Sequence, residues 1–197
     1  MVEIVALILA GGESRRMNSP KMLLPFNGKT IIETVITNVI ASKVDQTIIV
    51  LGAVVDPIIE VIKKYPVTSC YNENYKQGML SSVKCGFRFV PSGYEAVLVF
   101  LGDQPGIPAE VTDSVIAAYR SGKKGIVIPV CNKKRGHPML ISSEYKDEIE
   151  KLDGEKGLRF LLQKFPDDVL EVETDTSTIF RDIDTPEDYE NEINQIR

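Results

Sequence analysis

The chain has 197 residues, of which 43% are hydrophobic and 26% charged, a composition that excludes disordered and membrane-embedded classes and suffices for a buried core. Twenty-three Lys and Arg against 28 Asp and Glu leave a net charge of −5, which argues against sequence-independent DNA or RNA binding. The single histidine, His137, excludes zinc sites built from several histidines, and three cysteines without CxxC spacing, Cys70, Cys85 and Cys131, read as reduced thiols of a cytoplasmic protein.

The chain opens on the near-continuous apolar run EIVALILA at 3–10. It is too short for a membrane span and has no basic flank, so we expect a strand buried on both faces, not an anchor or signal peptide. TIIETVITNVIASK at 30–43 carries apolar residues at helical spacing, and Thr30 with Glu33 forms a capping box at its start. QTIIVLG (46–52), VTSCYN (67–72), EAVLVFLGD (95–103) and GIVIPVC (125–131) read as further strands. Helical patterns at 57–65, 79–90 and 109–122 separate them. This alternation predicts βαβ units and an α/β fold of three layers: a mostly parallel twisted sheet with helices on both faces.

Beyond residue 131 the pattern changes. RGHPMLI reads as a strand, short helices are expected near 143–151 and 155–165, and VLEVET (169–174) and STIFRDID (177–184) read as extended segments. Thr185-Pro186-Glu187-Asp188 is a helix start, with Thr as N-cap, Pro at the first helical position and acids in the first turn. We expect one domain over 1–197, with 1–125 as its nucleotide-binding half and 126–197 extending the sheet with mixed strands.

The chemistry concentrates where strands end. The first strand runs into LAGGESRRMNSPK, where two glycines admit close backbone approach and Arg15, Arg16 and Lys21 suit a polyphosphate. Neither familiar phosphate loop fits. Gly28-Lys29-Thr30 lacks the earlier glycine of a Walker A motif, since position 23 is leucine, and a GxGxxG would need glycines where Glu13 and Arg16 stand. Asp103 lies just past a strongly apolar strand and suits either Mg²⁺ or a turn cap. Asp182 and Asp184, two apart, are expected on one face of a strand, where one could complete a metal site. Gln77, Gly78, Ser81 and Ser82 cluster before a helix, and could contact a base or ribose or simply cap that helix. His137, in a basic turn with Lys133, Lys134 and Arg135, could be a base, a ligand contact or a structural residue.

The motifs LAGGESRRMNSPKMLLP, NxxYxQGMxxSV, LGDQP, RGHPxL and DIDTPEDY, in this order, resemble those of nucleotidyltransferases that attach a nucleoside monophosphate to a phosphorylated acceptor. They are most similar to the molybdenum cofactor cytidylyltransferases and their guanylyltransferase siblings. The resemblance implies a Rossmann-like nucleotidyltransferase fold, with Leu9, Ala10, Gly11 and Gly12 on the nucleotide. Arg16 and Lys21 would act on its phosphates as catalytic residues, with a weaker part for Arg15. Gly102 and Asp103 form the metal-binding GD motif, Asp103 being catalytic, and Asp184 is the second Mg²⁺ ligand. Gln77, Gly78 and Ser82 match the nucleotide-side loop, and Arg135, Gly136 and His137 point towards the acceptor. The implied partners are an NTP, CTP or GTP, a molybdopterin-type cofactor, and a molybdoenzyme or its chaperone; no nucleic acid and no membrane are implied. Leu9-Ala10-Gly11-Gly12 is the guanylyl form, whereas GDQP and RGHP look cytidylyl, and Asn18 replaces the usual glycine after Met17. A sugar-1-phosphate nucleotidyltransferase and a non-catalytic nucleotide-binding or cofactor-chaperone protein are the rival readings.

Overall fold

The computed structural model describes residues 3–17, 19–154 and 157–196. Asn18, whose identity departs from the motif, lies outside them, as do residues 155 and 156 at the start of the expected helix 155–165.

One eight-stranded sheet organises the chain. Its strands are β1 (Ile4–Ala10), β4 (Gln46–Leu51), β5 (Thr68–Tyr71), β6 (Ala96–Leu101), β7 (Ile126–Cys131), β8 (Lys134–Arg135), β9 (Met139–Ser142) and β10 (Val169–Glu173). The order is β10-β7-β9-β6-β1-β4-β5, with β8 paired to β7. β1 lies parallel between β4 and β6, with Leu9 opposite both Val50 and Leu101. β9 is antiparallel to both β6 and β7. The sheet is therefore mostly parallel, with its mixed part in the C-terminal third, as the pattern predicts.

Why β1 is apolar throughout follows from its two neighbours. Val5, Leu7 and Leu9 enter the core on one face, together with Val83, Phe87, Ile149 and Leu161. Ile4, Ala6, Ile8 and Ala10 enter the core on the other, together with Ile32, Val35, Ile58 and Val115. Alternating side chains of a central strand meet helices on both faces. α3 (Met79–Phe89), α5 (Lys146–Lys151) and α6 (Arg159–Lys164) cover the first face. α1 (Ile31–Ile40), α2 (Asp56–Ile62) and α4 (Ala109–Ser121) cover the second.

The capping box of α1 is present: Glu33 N–H donates to Thr30 Oγ1 at 3.3 Å, and Thr30 N–H donates to Glu33 Oε2 at 2.8 Å. Ahead of it, β2 (Pro25–Phe26) and β3 (Lys29–Thr30) form a small hairpin. Its turn is Asn27-Gly28, both at positive φ, +48° and +76°, the conformation that Asn-Gly hairpin turns require. Gly28-Lys29-Thr30 is thus a hairpin and a helix cap, with no role as a phosphate loop.

One expected strand is absent. Residues 177–180 form a 3₁₀ turn, and 181–184 continue as irregular chain. This stretch has backbone partners in neighbouring loops in place of a ladder: Ile183 N–H donates to the Asp103 carbonyl at 3.0 Å, and His137 N–H to the Ile179 carbonyl at 2.7 Å. α7 (Pro186–Ile196) follows with the expected start. Thr185 Oγ1 accepts from Asp188 N–H at 3.2 Å, and Asp188 Oδ2 accepts from Thr185 N–H at 2.8 Å.

Candidate active site

The carboxyl ends of β1, β4 and β6 lie side by side, and the segments after β1, β5 and β6 line a crevice, where ligands bind in open α/β sheets. The glycine loop after β1 approaches the end of β4 closely. A Cβ on Gly52 would stand 2.5 Å from the Gly11 carbonyl oxygen and 2.7 Å from Tyr75 Cβ, so only glycine fits there. The crevice holds a cavity of about 430 Å³ lined by the glycine loop, by Tyr75, Lys76 and Gly78 from the turn after β5, and by Lys21, Asp103 and Asp184.

Lys21 is the centre of its charge arrangement. It is only 7% exposed, and its backbone N–H donates to Ser14 Oγ at 3.2 Å. Its Nζ donates to Asp103 Oδ2 at 2.5 Å and to Asp184 Oδ1 at 2.8 Å. Arg16 Nη2 meets the other oxygen of Asp184 at 2.7 Å. Burial alone would lower the Lys21 pKa, but the two carboxylates outweigh it and hold the ammonium above its ordinary value. Burial likewise opposes ionisation of Asp184, and Lys21 and Arg16 overcome it and hold that carboxyl low. At Asp103, burial and the carboxylates of Asp182 and Asp184 push the pKa up against the pull of Lys21. Asp103 Oδ1 is buried without a hydrogen-bond partner. An unpartnered carboxylate oxygen inside an acidic cluster is an incentive for a further cation.

A second cavity, of about 900 Å³, adjoins the first, and Met79 and Leu101 line both. Its floor is apolar, with Val99, Ile128, Met139 and Leu162, and its rim carries Lys133, Lys134, Arg135 and Arg159. Arg135 is paired with Glu171 at 2.6 Å, and Lys134 Nζ stands 4.1 Å over the Phe180 ring. His137 lines this cavity too. Burial, aided by Arg159, pushes its pKa down to about 4 despite the opposing pull of Asp103, so the imidazole is neutral at pH 7 and offers a hydrogen bond, not a positive charge. Gly136 beside it is a packing glycine: a Cβ there would come within 2.3 Å of the Ile179 carbonyl oxygen.

The structure brings most of the expected residues together. Leu9, Gly11, Gly12, Arg15, Arg16, Lys21, Gly78, Ser82, Asp103 and Asp184 line the first cavity, and Arg135, Gly136 and His137 the second. Three stand apart. Ala10, the last residue of β1, is buried in the core of the second face, Gly102 packs against Leu9 and Met22, and Gln77 is exposed, with Nε2 donating to Asn74 Oδ1 at 3.1 Å. Arg15 is turned outward and paired with Glu13 at 2.7 Å. Asp182 and Asp184 do not share a strand face: Asp184 faces the first cavity, whereas Asp182 lines the second and accepts from Gln104 Nε2. Ser82 is no helix cap; its hydroxyl accepts from Asn72 Nδ2 at 3.0 Å.

Sequence reasoning missed Tyr75 and Lys76 in the first cavity and Gln104 and Arg159 in the second. It also missed Gly52, although a glycine at the end of a buried strand was a visible signal.

Known proteins share this architecture. Residues 6–169 match the model of the MobA-like NTP transferase domain. The molybdenum cofactor cytidylyltransferase of Escherichia coli strain K12 is 29% identical over 190 residues, covering 96% of this chain and 95% of its own. The nicotine blue oxidoreductase of Paenarthrobacter nicotinovorans is 26% identical over 192 residues, covering 93% of each. Among solved structures, the homologue of Mycobacterium tuberculosis Rv0371c from Mycobacterium sp. strain JC1 has a TM-score of 0.88 at 28% identity, covering 98% of this chain and 96% of its own. A match that begins in the first strand and ends at the last shows that the chain belongs to the MobA-like NTP transferase family.

Proposed function

We propose that this chain is a divalent-metal-dependent nucleotidyltransferase. It moves a nucleoside monophosphate from an NTP, with CTP favoured, to the terminal phosphate of a molybdopterin-type cofactor and releases pyrophosphate. The observation that carries the reading is Lys21, buried between Asp103 and Asp184 at the floor of a cavity whose walls are the glycine loop and Arg16.

The residues fit a Mg²⁺ ion. Asp103 offers a buried, unpartnered oxygen, and Asp184 is a second carboxylate on the same ammonium. Mg²⁺ binds one or two carboxylates together with substrate phosphates, and two carboxylates are what the Lys21 cluster offers. When bound, the metal would neutralise charge on the phosphates.

The chain's own groups supply the rest. Backbone N–H groups around Gly11 and Gly12 hold the nucleotide, Ser82 and Tyr75 line its base and ribose end, and Arg16 and Lys21 offset charge on the departing pyrophosphate. The acceptor lies in the larger cavity, its ring system on the apolar floor and its phosphate drawn to the cationic rim. A phosphate oxygen is ionised at neutral pH, so attack on the α-phosphorus needs no strong general base, and a neutral His137 acts only as a hydrogen-bonding contact. Residues 1–125 thus serve the nucleotide and 126–197 the acceptor, with Asp184 reaching back across the boundary. The GDQP and RGHP motifs, which look cytidylyl, support CTP and a molybdopterin-type acceptor.

A thermal-shift panel of CTP, GTP, ATP and UTP with Mg²⁺ tests the nucleotide. A ligand at 100 times its Kd stabilises by about 2.7 kcal/mol, and CTP is expected to raise Tm most. A larger shift with GTP reassigns the base, and no shift with any of the four overturns the reading.

A further inference from the structure

Asp103 and Asp184 together carry four carboxylate oxygens. Lys21 Nζ takes Asp103 Oδ2 at 2.5 Å and Asp184 Oδ1 at 2.8 Å, and Arg16 Nη2 takes Asp184 Oδ2 at 2.7 Å. Only Asp103 Oδ1 has no partner. A divalent cation that uses both carboxylates therefore competes with an ammonium that already bridges them. We infer that Lys21 is a resident competitor of the divalent cation, holding the two carboxylates until it is drawn away to a phosphate.

This deepens the proposed function and rests on its placing of the metal at Asp103 and Asp184. Its physical basis is charge and reach. Lys is a compact charge on a flexible four-carbon stem, and it can trade a carboxylate for a phosphate oxygen without losing an ionic partner. With the nucleotide absent, moving it would leave a buried ammonium unpaired, which is costly. With the triphosphate present, the move costs little, and the freed carboxylate oxygens face the incoming metal. Metal and nucleotide then raise each other's affinity, because coupling between two sites is reciprocal. Arg16, being largely exposed, retains water as an alternative partner and opposes the metal less.

The test uses Mn²⁺ alone as probe, with its free fraction followed by electron paramagnetic resonance and with no nucleotide or acceptor present. Wild-type protein is expected to bind Mn²⁺ weakly, and Lys21→Met to bind it at least about 10-fold more tightly, with Lys21→Met/Asp103→Asn losing that gain. Lys21→Met no tighter than wild type, in protein that melts cooperatively, overturns the inference. A second readout needs no variant: acetic anhydride labelling of Lys21 in the wild type, read by mass spectrometry. Lys21 should be protected without metal and labelled several-fold faster at saturating Mn²⁺; unchanged labelling overturns the inference. Because neither assay contains substrate, a chain that transfers normally yet shows no competition refutes only this inference. A chain that shows competition but transfers nothing refutes only the proposed reaction.

Discussion

At the scale of single residues, environment decides which groups can act. Lys21, Asp103 and His137 are all withdrawn from water, with opposite outcomes. Lys21 keeps its charge because two carboxylates compensate its burial. His137 has no such partner in contact, and its pKa falls to about 4. The sign for stability follows. A histidine with a depressed folded pKa is protonated more readily in the unfolded chain, so stability is complete above about pH 6.5 and is lost as the pH falls towards 4. The loss expected over that window is on the order of 1–3 kcal/mol. Thermal melts between pH 4.5 and 7.5 should show this slope in the wild type and a much flatter profile in His137→Gln; equal profiles would contradict the buried neutral imidazole. The sequence placed His137 in a basic turn, and proximity to three cations suggested an anion contact. It could not show that burial keeps the ring neutral while Arg135 is spent on Glu171.

At the scale of elements, local signals were the legible ones. The capping boxes of α1 and α7 are visible as Thr30-x-x-Glu33 and Thr185-x-x-Asp188, and both form. Glu33 also meets Lys64 at 2.5 Å and Tyr65 at 3.2 Å. Burial opposes its ionisation, but these partners and Thr30 hold its pKa down to about 2. Thr30→Ala removes the cap and leaves Glu33 with fewer donors, and should cost about 1 kcal/mol, a fall in Tm of about 2–4 °C in a chain of this length. Calorimetry that shows no change would mean that packing of Ile31, Ile32 and Val35 alone sets the start of the helix. Other elements were illegible for a nonlocal reason. The 181–184 stretch alternates like a strand, yet strand pairing depends on a neighbouring edge. β7 already pairs with β10, β8 and β9, and β9 fills the gap between β6 and β7. The chain therefore docks through Ile183 onto the Asp103 carbonyl. That single contact carries Asp184 to Lys21 and sends Asp182 to Gln104, which alternation could not foretell. Gln77 failed for a similar reason: a tight turn at Tyr75–Gln77 directs it outward and leaves Tyr75 and Lys76 facing the cavity.

At the scale of the whole molecule, a net charge of −5 coexists with a cationic crevice. Arg15, Arg16, Lys21 and Lys76 border the smaller cavity, and Lys133, Lys134, Arg135 and Arg159 the larger one. Local charge of this kind suits a small polyanion better than a nucleic acid, whose binding needs an extended basic face. No helix among the described residues is long and apolar enough to cross a membrane. Similar likeness to a cytidylyltransferase and to an oxidoreductase means that overall similarity does not select the chemistry; the proposed transfer rests on the buried Lys21–Asp103–Asp184 cluster. The central claim is nucleotidyl transfer, and the most direct measurement is pyrophosphate release from CTP and Mg²⁺ with and without molybdopterin. Release is expected to require the acceptor, to match dinucleotide formed one for one, and to fall at least about 100-fold in both Asp103→Ala and Lys21→Ala. Nucleotide binding without any pyrophosphate release, or near-normal release in both variants, would contradict that claim.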